Sequence, residues 1–416
     1  MFKIAHLSDI HAGYTATRKV NAQGINLREA DGYIALKKMI TDVIDHEVDA
    51  VVIPGDTFHT PSPNMRSVQF VQRQLWRLWQ AGVPVYILSG NHDVDDIREN
   101  IASSRILDDP WKKIYSHAEP YVKHQIADGI NLHMVSHHMY SDQKDTMGQI
   151  KPVDGEINIF ATHGSVVDPI LEHKLHTEHS PREIVIPDEL LSYEWDYMML
   201  GHIHERGWVG SKDKKTDTAQ SRIYYNGSLI RRGFSDKEVP LGRGWTLWEI
   251  DSQGGFKAYP KTVAQRPQYD FEIIDATDLS APEVTDLIVS NLQSTQINNS
   301  TEFDTHHAPI VRQKIVNLSS SKYSGLDYKI IDQNIQHTMS WKLQHSPHEE
   351  ARESNSIELK YGEIAASTDV LQAYDDWSKN STTLKNLSDD FRTKVLQDAK
   401  NFVKSGQEAA LDSDDE

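Results

Sequence analysis

The chain has 416 residues, enough for two or three domains and at least one large core. With no cysteine, a disulfide scaffold, a thiolate metal site and a cysteine nucleophile are excluded together. The net charge of −18 argues against a broad basic nucleic-acid coat, and no apolar run approaches the roughly 20 residues of a membrane helix. Met1–His11 has no signal-peptide pattern, so the expected address is cytoplasmic, without membrane attachment.

The first 250 residues alternate β-rich runs with helical patterns. Lys3–Ser8 reads as a strand. Asp31 is the expected N-cap of a helix whose apolar residues Ile34, Leu36, Met39, Ile40, Val43 and Ile44 follow at helical spacing. Ala50–Pro54 is a buried strand, Ser67–Gln80 a second helix and Val83–Ser89 a third strand. This βαβαβ order implies a parallel sheet. After Ile114 strand-like segments come closely spaced, at Asn131–Val135, Ile157–Thr162, Tyr197–Leu200, Arg222–Tyr225, Trp245–Ile250 and Phe256–Tyr259. Two sheets packed face to face with helices outside would fit this α/β order.

A boundary is expected near Gln265–Pro267. Residues 266–343 read as a small α+β domain, with strands at Tyr269–Ile274 and Pro309–Val316 around a helix at Ala281–Leu292. Asn291–Ser300 reads as a loop. Residues 344–362 read as a linker. Residues 363–405 carry two amphipathic helical patterns, the second with one apolar stripe from Leu384 to Val403. Residues 406–416 read as a solvated acidic tail.

Five short motifs put Asp, His or Asn directly after a predicted strand: Asp9-Ile10-His11, Gly55-Asp56-Thr57-Phe58-His59, Gly90-Asn91-His92-Asp93, His163-Gly164 and Gly201-His202-Ile203-His204. In open α/β sheets ligands bind beyond the carboxyl ends of strands, so these loops can converge. Carboxylate, imidazole and amide oxygen without sulfur suit a divalent ion such as Mn²⁺, ahead of Mg²⁺, Fe²⁺ or Zn²⁺. Seven candidate ligands are too many for one ion and right for two. Such a pair, ~3.5–4 Å apart, acidifies a water and neutralises charge developing on phosphorus.

In this order the motifs resemble the calcineurin-like metallophosphoesterase signature. Ala5–Tyr14 (AHLSDIHAGY), Gly55–Pro61 (GDTFHTP), Asp196–His204 (DYMMLGHIH) and Tyr225–Phe234 (YNGSLIRRGF) look like the SbcD branch of DNA double-strand-break repair nucleases, and recombination nucleases of large phages look similar. The resemblance covers residues 1–250. It implies an αββα sandwich over residues 1–265, with the small domain as a cap. It implies one metal held by Asp9, His11, Asp56 and His204 and another by Asp56, Asn91, His163 and His202, with Asp56 bridging. His92 takes the family's catalytic place, facing the scissile phosphate, and His59 matches a second active-site histidine. The chain departs from the family at Thr57, where Leu is usual, and at Gly164, where Gln is usual. The second departure puts His163 in competition with His137 and His138, which also follow a predicted strand.

Substrate is a separate question. Arg231 and Arg232 lie in the family-like stretch and could contact DNA phosphates, as could Lys212, Lys214 and Lys215 in a nearby loop. Arg28 with Asp31 resembles a family pair near the site, and a helix-start ion pair explains it equally well. His173, His176 and His179 read as an exposed loop. The resemblance implies a Mn²⁺-dependent exo- or endonuclease acting on double-strand ends irrespective of sequence. It further implies an SbcC-like coiled-coil ATPase bound through residues 363–404 and a homodimer through helices near Asn64–Gln80. A cyclic-nucleotide phosphodiesterase, a phosphatase and a non-catalytic DNA-end tether are the rival readings.

Overall fold

The computed structural model describes residues 1–16, 18–94, 102–109, 113–117, 119–136, 148–166, 184–209, 222–234, 241–295 and 308–346. The lysine loop, the histidines at 137, 138, 173, 176 and 179, and the C-terminal helical segment lie outside the described residues.

The chain divides into two units. The larger comprises Met1–Asp270, Leu292–Arg312 and Asn334–Lys342. It holds two six-stranded sheets. The first contains β1 (Phe2–His6), β2 (Ala50–Pro54), β3 (Val85–Leu88), β4 (Ile114–His117), β11 (Gly244–Ile250) and β12 (Phe256–Thr262), in the order β12-β11-β1-β2-β3-β4. The second contains β5 (Tyr121–Ala127), β6 (Ile130–Val135), β7 (Ile157–His163), β8 (Tyr197–Gly201), β9 (Gly207–Trp208) and β10 (Ile223–Tyr225), in the order β5-β6-β7-β8-β10-β9. β1 through β4 run parallel to one another, as do β6, β7 and β8.

Strand residues alternate between two cores, as a two-residue repeat requires. Ile4, Ala50, Val52 and Leu88 meet Leu132, Met134, Ala161 and Met199 between the sheets, with Trp248 fully buried among them. Ala5, Leu7, Val51, Ile53, Val85 and Ile87 face the other way, onto α1 (Leu27–Asp45) and α2 (Met65–Gln80). The outer face of the second sheet is covered by Ile186, Leu190 and Trp195, on and around the short helix α3 (Asp188–Ser192). The result is the expected αββα sandwich.

Asn26 rather than Asp31 caps α1; its side chain accepts the Arg28 N–H at 2.9 Å. Asp31 sits one turn inside the helix, where Arg28 Nη1 (2.6 Å) and both Nε and Nη2 of Arg266 (2.7 Å each) donate to its buried carboxylate. A long-range partner from residue 266 thus overrides the local capping preference.

The small sheet contains β13 (Gln268–Asp270), β14 (Ile274–Asp275), β15 (Ile310–Val316) and β16 (Ser340–His345), with β13, β14 and β16 all pairing with β15. The single strand expected over 269–274 is two short ones. Each uses a different half of β15: Gln268–Asp270 pairs with Ile310–Arg312, and Ile274–Asp275 with Ile315–Val316. The domain division therefore differs from the expected 266–343. Leu292–Arg312 and Asn334–Lys342 belong to the larger unit. The described part of the second, within Phe271–Asn291, Gln313–Gln333 and 343–346, buries Ile274, Val284, Ile288, Ile315, Leu326 and Ile331. α4 (Ala281–Ser294), α5 (Ser320–Ser324) and α6 (Tyr328–Asn334) complete the small helices, and β16 occupies the first residues of the expected linker.

Candidate metal centre

Five of the parallel strands deliver the motif residues. Asp9 and His11 follow β1, Asp56 follows β2, Asn91 follows β3, His163 ends β7, and His202 and His204 follow β8. The carboxyl ends of both sheets meet at one edge, and all seven side chains converge there. His163 Nε2 lies 2.9 Å from Asn91 Oδ1 and 3.4 Å from Asp56 Oδ1. His202 Nδ1 lies 3.2 Å from the same Asn91 oxygen. On the other side His11 Nε2 is 3.5 Å from Asp56 Oδ2 and 3.2 Å from His204 Nε2, which is 3.8 Å from Asp9 Oδ1. Asp56 thus turns one oxygen to each group.

The backbone is strained to achieve this. Asp9, His11, Asp56 and His202 all have positive φ, at 49°, 47°, 53° and 97°. Non-glycine residues rarely adopt this conformation, which persists only where surrounding structure enforces it. The glycines beside them are dictated by space. A Cβ on Gly90 would lie 2.2 Å from Asp56 Oδ1, and one on Gly55 2.2 Å from His163 Nδ1. Gly164, the departure from the family pattern, packs against Ile184 and Ile186, and a Cβ there would meet Ile186 at 3.0 Å. His163 is fully buried, with Nδ1 2.9 Å from the Pro54 carbonyl, so its Nε2 is turned into the centre.

The electrostatics split the two carboxylates. Burial raises Asp9, against the pull of His204 and His163. Burial also pushes Asp56 up, but His163, His92 and the His92 backbone N–H outweigh it and hold Asp56 below the usual carboxylate range. His163 is raised because Asp56 and Asp9 overcome its desolvation. Burial and the neighbouring cations lower His11 well below its ordinary value, and burial with His163 brings His202 to about 3. Neutral imidazoles beside an ionised carboxylate are the state that binds cations.

The donor set fits divalent ions. Two ligand atoms at ~2.1 Å from one ion are ~3.0–3.4 Å apart at octahedral or tetrahedral angles, close to the separations above. Asp9, His11 and His204 form one such group and Asp9, Asp56 and His163 another, each within 4.8 Å. His202 Nε2 is buried with no hydrogen-bond partner, so the protein alone leaves the cluster incompletely satisfied.

His92 and His59 stand at the rim. Their rings stack at 5.2 Å, and His92 Nδ1 lies 2.9 Å from the His59 carbonyl, which only accepts. The ring is thereby oriented and Nε2 is left for other chemistry. His59 Nδ1 is 3.4 Å from His11 Nδ1, and burial with Arg232 lowers His59 to about 4. Arg232 Nη2 donates to His204 Nδ1 at 3.1 Å, so the arginine borders the centre. Arg231 stands over the ring of Phe234, its guanidinium carbon 5.8 Å from the centroid, and its carbonyl accepts from Gln268 and Arg28.

Several supporting residues were not legible from the motifs. Asp93 has a packing role. Its fully buried carboxylate accepts the backbone N–H groups of Gly90 (2.9 Å), Phe58 (2.9 Å) and Thr57 (3.2 Å), clamping two ligand loops together. Burial and Asp56 raise it to about 7. Two buried arginines brace the last ligand loop. Arg243 donates to the His204 carbonyl at 3.0 Å, and Arg206 to the Asn226 carbonyl at 2.9 Å. Position after a strand signals a ligand; nothing local signals a brace whose partners lie 20 to 40 residues away.

Residues 2–206 match the family model for calcineurin-like phosphoesterases. Over 348 residues the chain is 24% identical to the SbcD component of the SbcCD nuclease of Staphylococcus saprophyticus, covering 76% of this chain and 81% of that protein. Over 260 residues it is 24% identical to the DNA double-strand break repair protein Mre11 of Haloferax volcanii, covering 60% of this chain but only 50% of that one. A dimetal phosphatase from Danio rerio is a structural neighbour with a TM-score of 0.37 and 13% identity, over 62% of this chain and 98% of that one. Among the described residues no helix is long and apolar enough to cross a membrane. Residues 2–206 of this chain are a calcineurin-like metallophosphoesterase domain, and the chain's relatives include the SbcD and Mre11 nucleases.

Proposed function

We propose that this chain is the nuclease subunit of a complex that processes DNA double-strand ends. The observation that carries the reading is the meeting of seven ligand-type side chains from five strand ends beside a rim histidine whose Nδ1 faces a carbonyl. The names of the SbcD and Mre11 relatives support DNA as the substrate. One ion is assigned to Asp9, His11, Asp56 and His204, and the other to Asp56, Asn91, His163 and His202, with Mn²⁺ the preferred metal. When bound, the pair supplies Lewis acidity and lowers the pKa of water.

The protein residues do the rest. Asp56 turns an oxygen to each half of the site. His92 presents Nε2 to the phosphate, stabilising charge or passing a proton to the leaving oxygen. His59 holds His92 through its carbonyl and the ring stack. Arg232 and Arg231 are assigned to backbone phosphates, which would make binding salt-sensitive and indifferent to sequence. Lys212, Lys214 and Lys215 are assigned the same role.

The reading includes a coiled-coil ATPase of the SbcC type as partner, docked on residues 363–404, a homodimer through α2, and a cytoplasmic, DNA-associated location. Deleting residues after Ser356 is expected to abolish binding to the ATPase and to spare hydrolysis of a small phosphodiester. The central test is Mn²⁺-dependent cleavage of linear duplex DNA by the wild type and by His92→Leu. Cleavage should collapse in the variant while metal content persists. Activity on para-nitrophenyl phosphate esters with none on DNA would sink the nuclease reading.

A further inference from the structure

A second histidine cluster lies away from the centre, where the chain passes from the edge strand of one sheet to the edge strand of the other. His117 ends β4 and His124 sits in β5. Their Nε2 atoms are 2.8 Å apart. Glu119 Oε2 lies 3.3 Å from His117 Nδ1, and its other oxygen is 3.3 Å from Arg105 Nη1. The rings are fixed by aromatic neighbours. Tyr115 and Tyr86 stack on each other at 5.0 Å, and each stands 4.9 Å from His124.

We propose that this pair is a site for one borderline divalent cation of the Zn²⁺, Ni²⁺ or Cu²⁺ class, held by Nε2 of His117 and Nε2 of His124 and completed by water. Two imidazole nitrogens at 2.0–2.1 Å from one ion are about 2.8–3.0 Å apart at a right angle, and the observed separation already meets this. The carboxylate on His117 Nδ1 sets the tautomer that leaves Nε2 with its lone pair, as metal-ligating histidines generally require. Burial lowers His117, and burial with His117 lowers His124 to about 4, so both rings are neutral at pH 7. Without a cation, His124 donates Nε2–H to His117. With one, that proton moves to His124 Nδ1, the cation takes both lone pairs, and no proton is released. The His117 side chain is 16% exposed, so water can complete the coordination. The bound ion would tie together the two strands at the corner joining the sheets.

This inference does not depend on the nuclease reading, and its test does not use activity. Full-length chain is dialysed to equilibrium against Zn²⁺, and bound metal is counted in the wild type, His117→Gln and His124→Gln. Each variant should carry one equivalent fewer, since the main centre contributes equally to all three. Glu119→Gln should keep the stoichiometry and weaken the affinity by about 10–100-fold. Diethylpyrocarbonate labelling of the wild type, mapped by mass spectrometry, avoids dependence on variant folding. Zn²⁺ should protect His117 and His124 from modification. Equal stoichiometry in folded variants, or undiminished labelling in Zn²⁺, would leave only a histidine–histidine hydrogen bond and overturn the proposal.

Discussion

Replacing Gly90 by Ala isolates the geometry of the centre from backbone strain, because Gly90 does not have positive φ. Its added Cβ would lie 2.2 Å from Asp56 Oδ1 and 2.4 Å from Asp56 N, whereas real Cβ contacts essentially never fall under 3.0 Å. Asp56 or the loop bearing Asn91 and His92 must therefore yield by about 0.8 Å. A misplacement of that size costs about 10²-fold in a positioned reaction, and overpacking costs about 1–3 kcal/mol of stability. Gly82→Ala is the control. Its φ is 83° and its Cβ enters open space, so it should cost about 1–2 kcal/mol and leave the chemistry alone. Both variants are followed by thermal unfolding in EDTA, by Mn²⁺ titration and by phosphodiester hydrolysis. Wild-type metal affinity and turnover in folded Gly90→Ala would refute the claim that Asp56 and this loop are held in a jigsaw fit around the cations.

Asp31→Ala leaves Arg28 and Arg266 buried without their shared carboxylate and should destabilise the protein by about 3–5 kcal/mol, read as a shift in urea midpoint; a change under about 1 kcal/mol would show that the network contributes little. His133 is buried between Tyr121 Oη (2.9 Å) and Asn158 Oδ1 (3.0 Å), and burial lowers it to about 4. A lowered imidazole takes up its proton more readily when unfolded. Its contribution is therefore complete above about pH 6.5 and is lost as pH falls towards 4, by up to ~3 kcal/mol. Stability measured across that window should fall with acid, and His133→Gln should flatten the slope; an unchanged slope would remove His133 from the balance.

The motif residues were readable because each of the five marks a strand end, and parallel strands bring their carboxyl ends to the same edge. Strand periodicity was equally readable in β2, whose residues alternate between the two cores. The four strained residues at the centre were not, since positive φ at Asp9 or His202 reflects enforcement by distant partners. The same holds for the α1 cap, where local preference pointed to Asp31 and a guanidinium from residue 266 claimed it instead. Strand pairing along β15, whose two halves take different partners, left no periodic trace either.

Composition, alternation and the order of five short motifs were enough to assign an αββα phosphoesterase domain and name its candidate ligands. Such features repeat at fixed intervals along the chain or sit at the end of a regular element. The clamp at Asp93, the braces at Arg206 and Arg243 and the histidine pair at the sheet corner needed the folded chain. Each is a directional contact over less than 4 Å between residues whose spacing in sequence obeys no rule, and only the packing of the two sheets brings them into range.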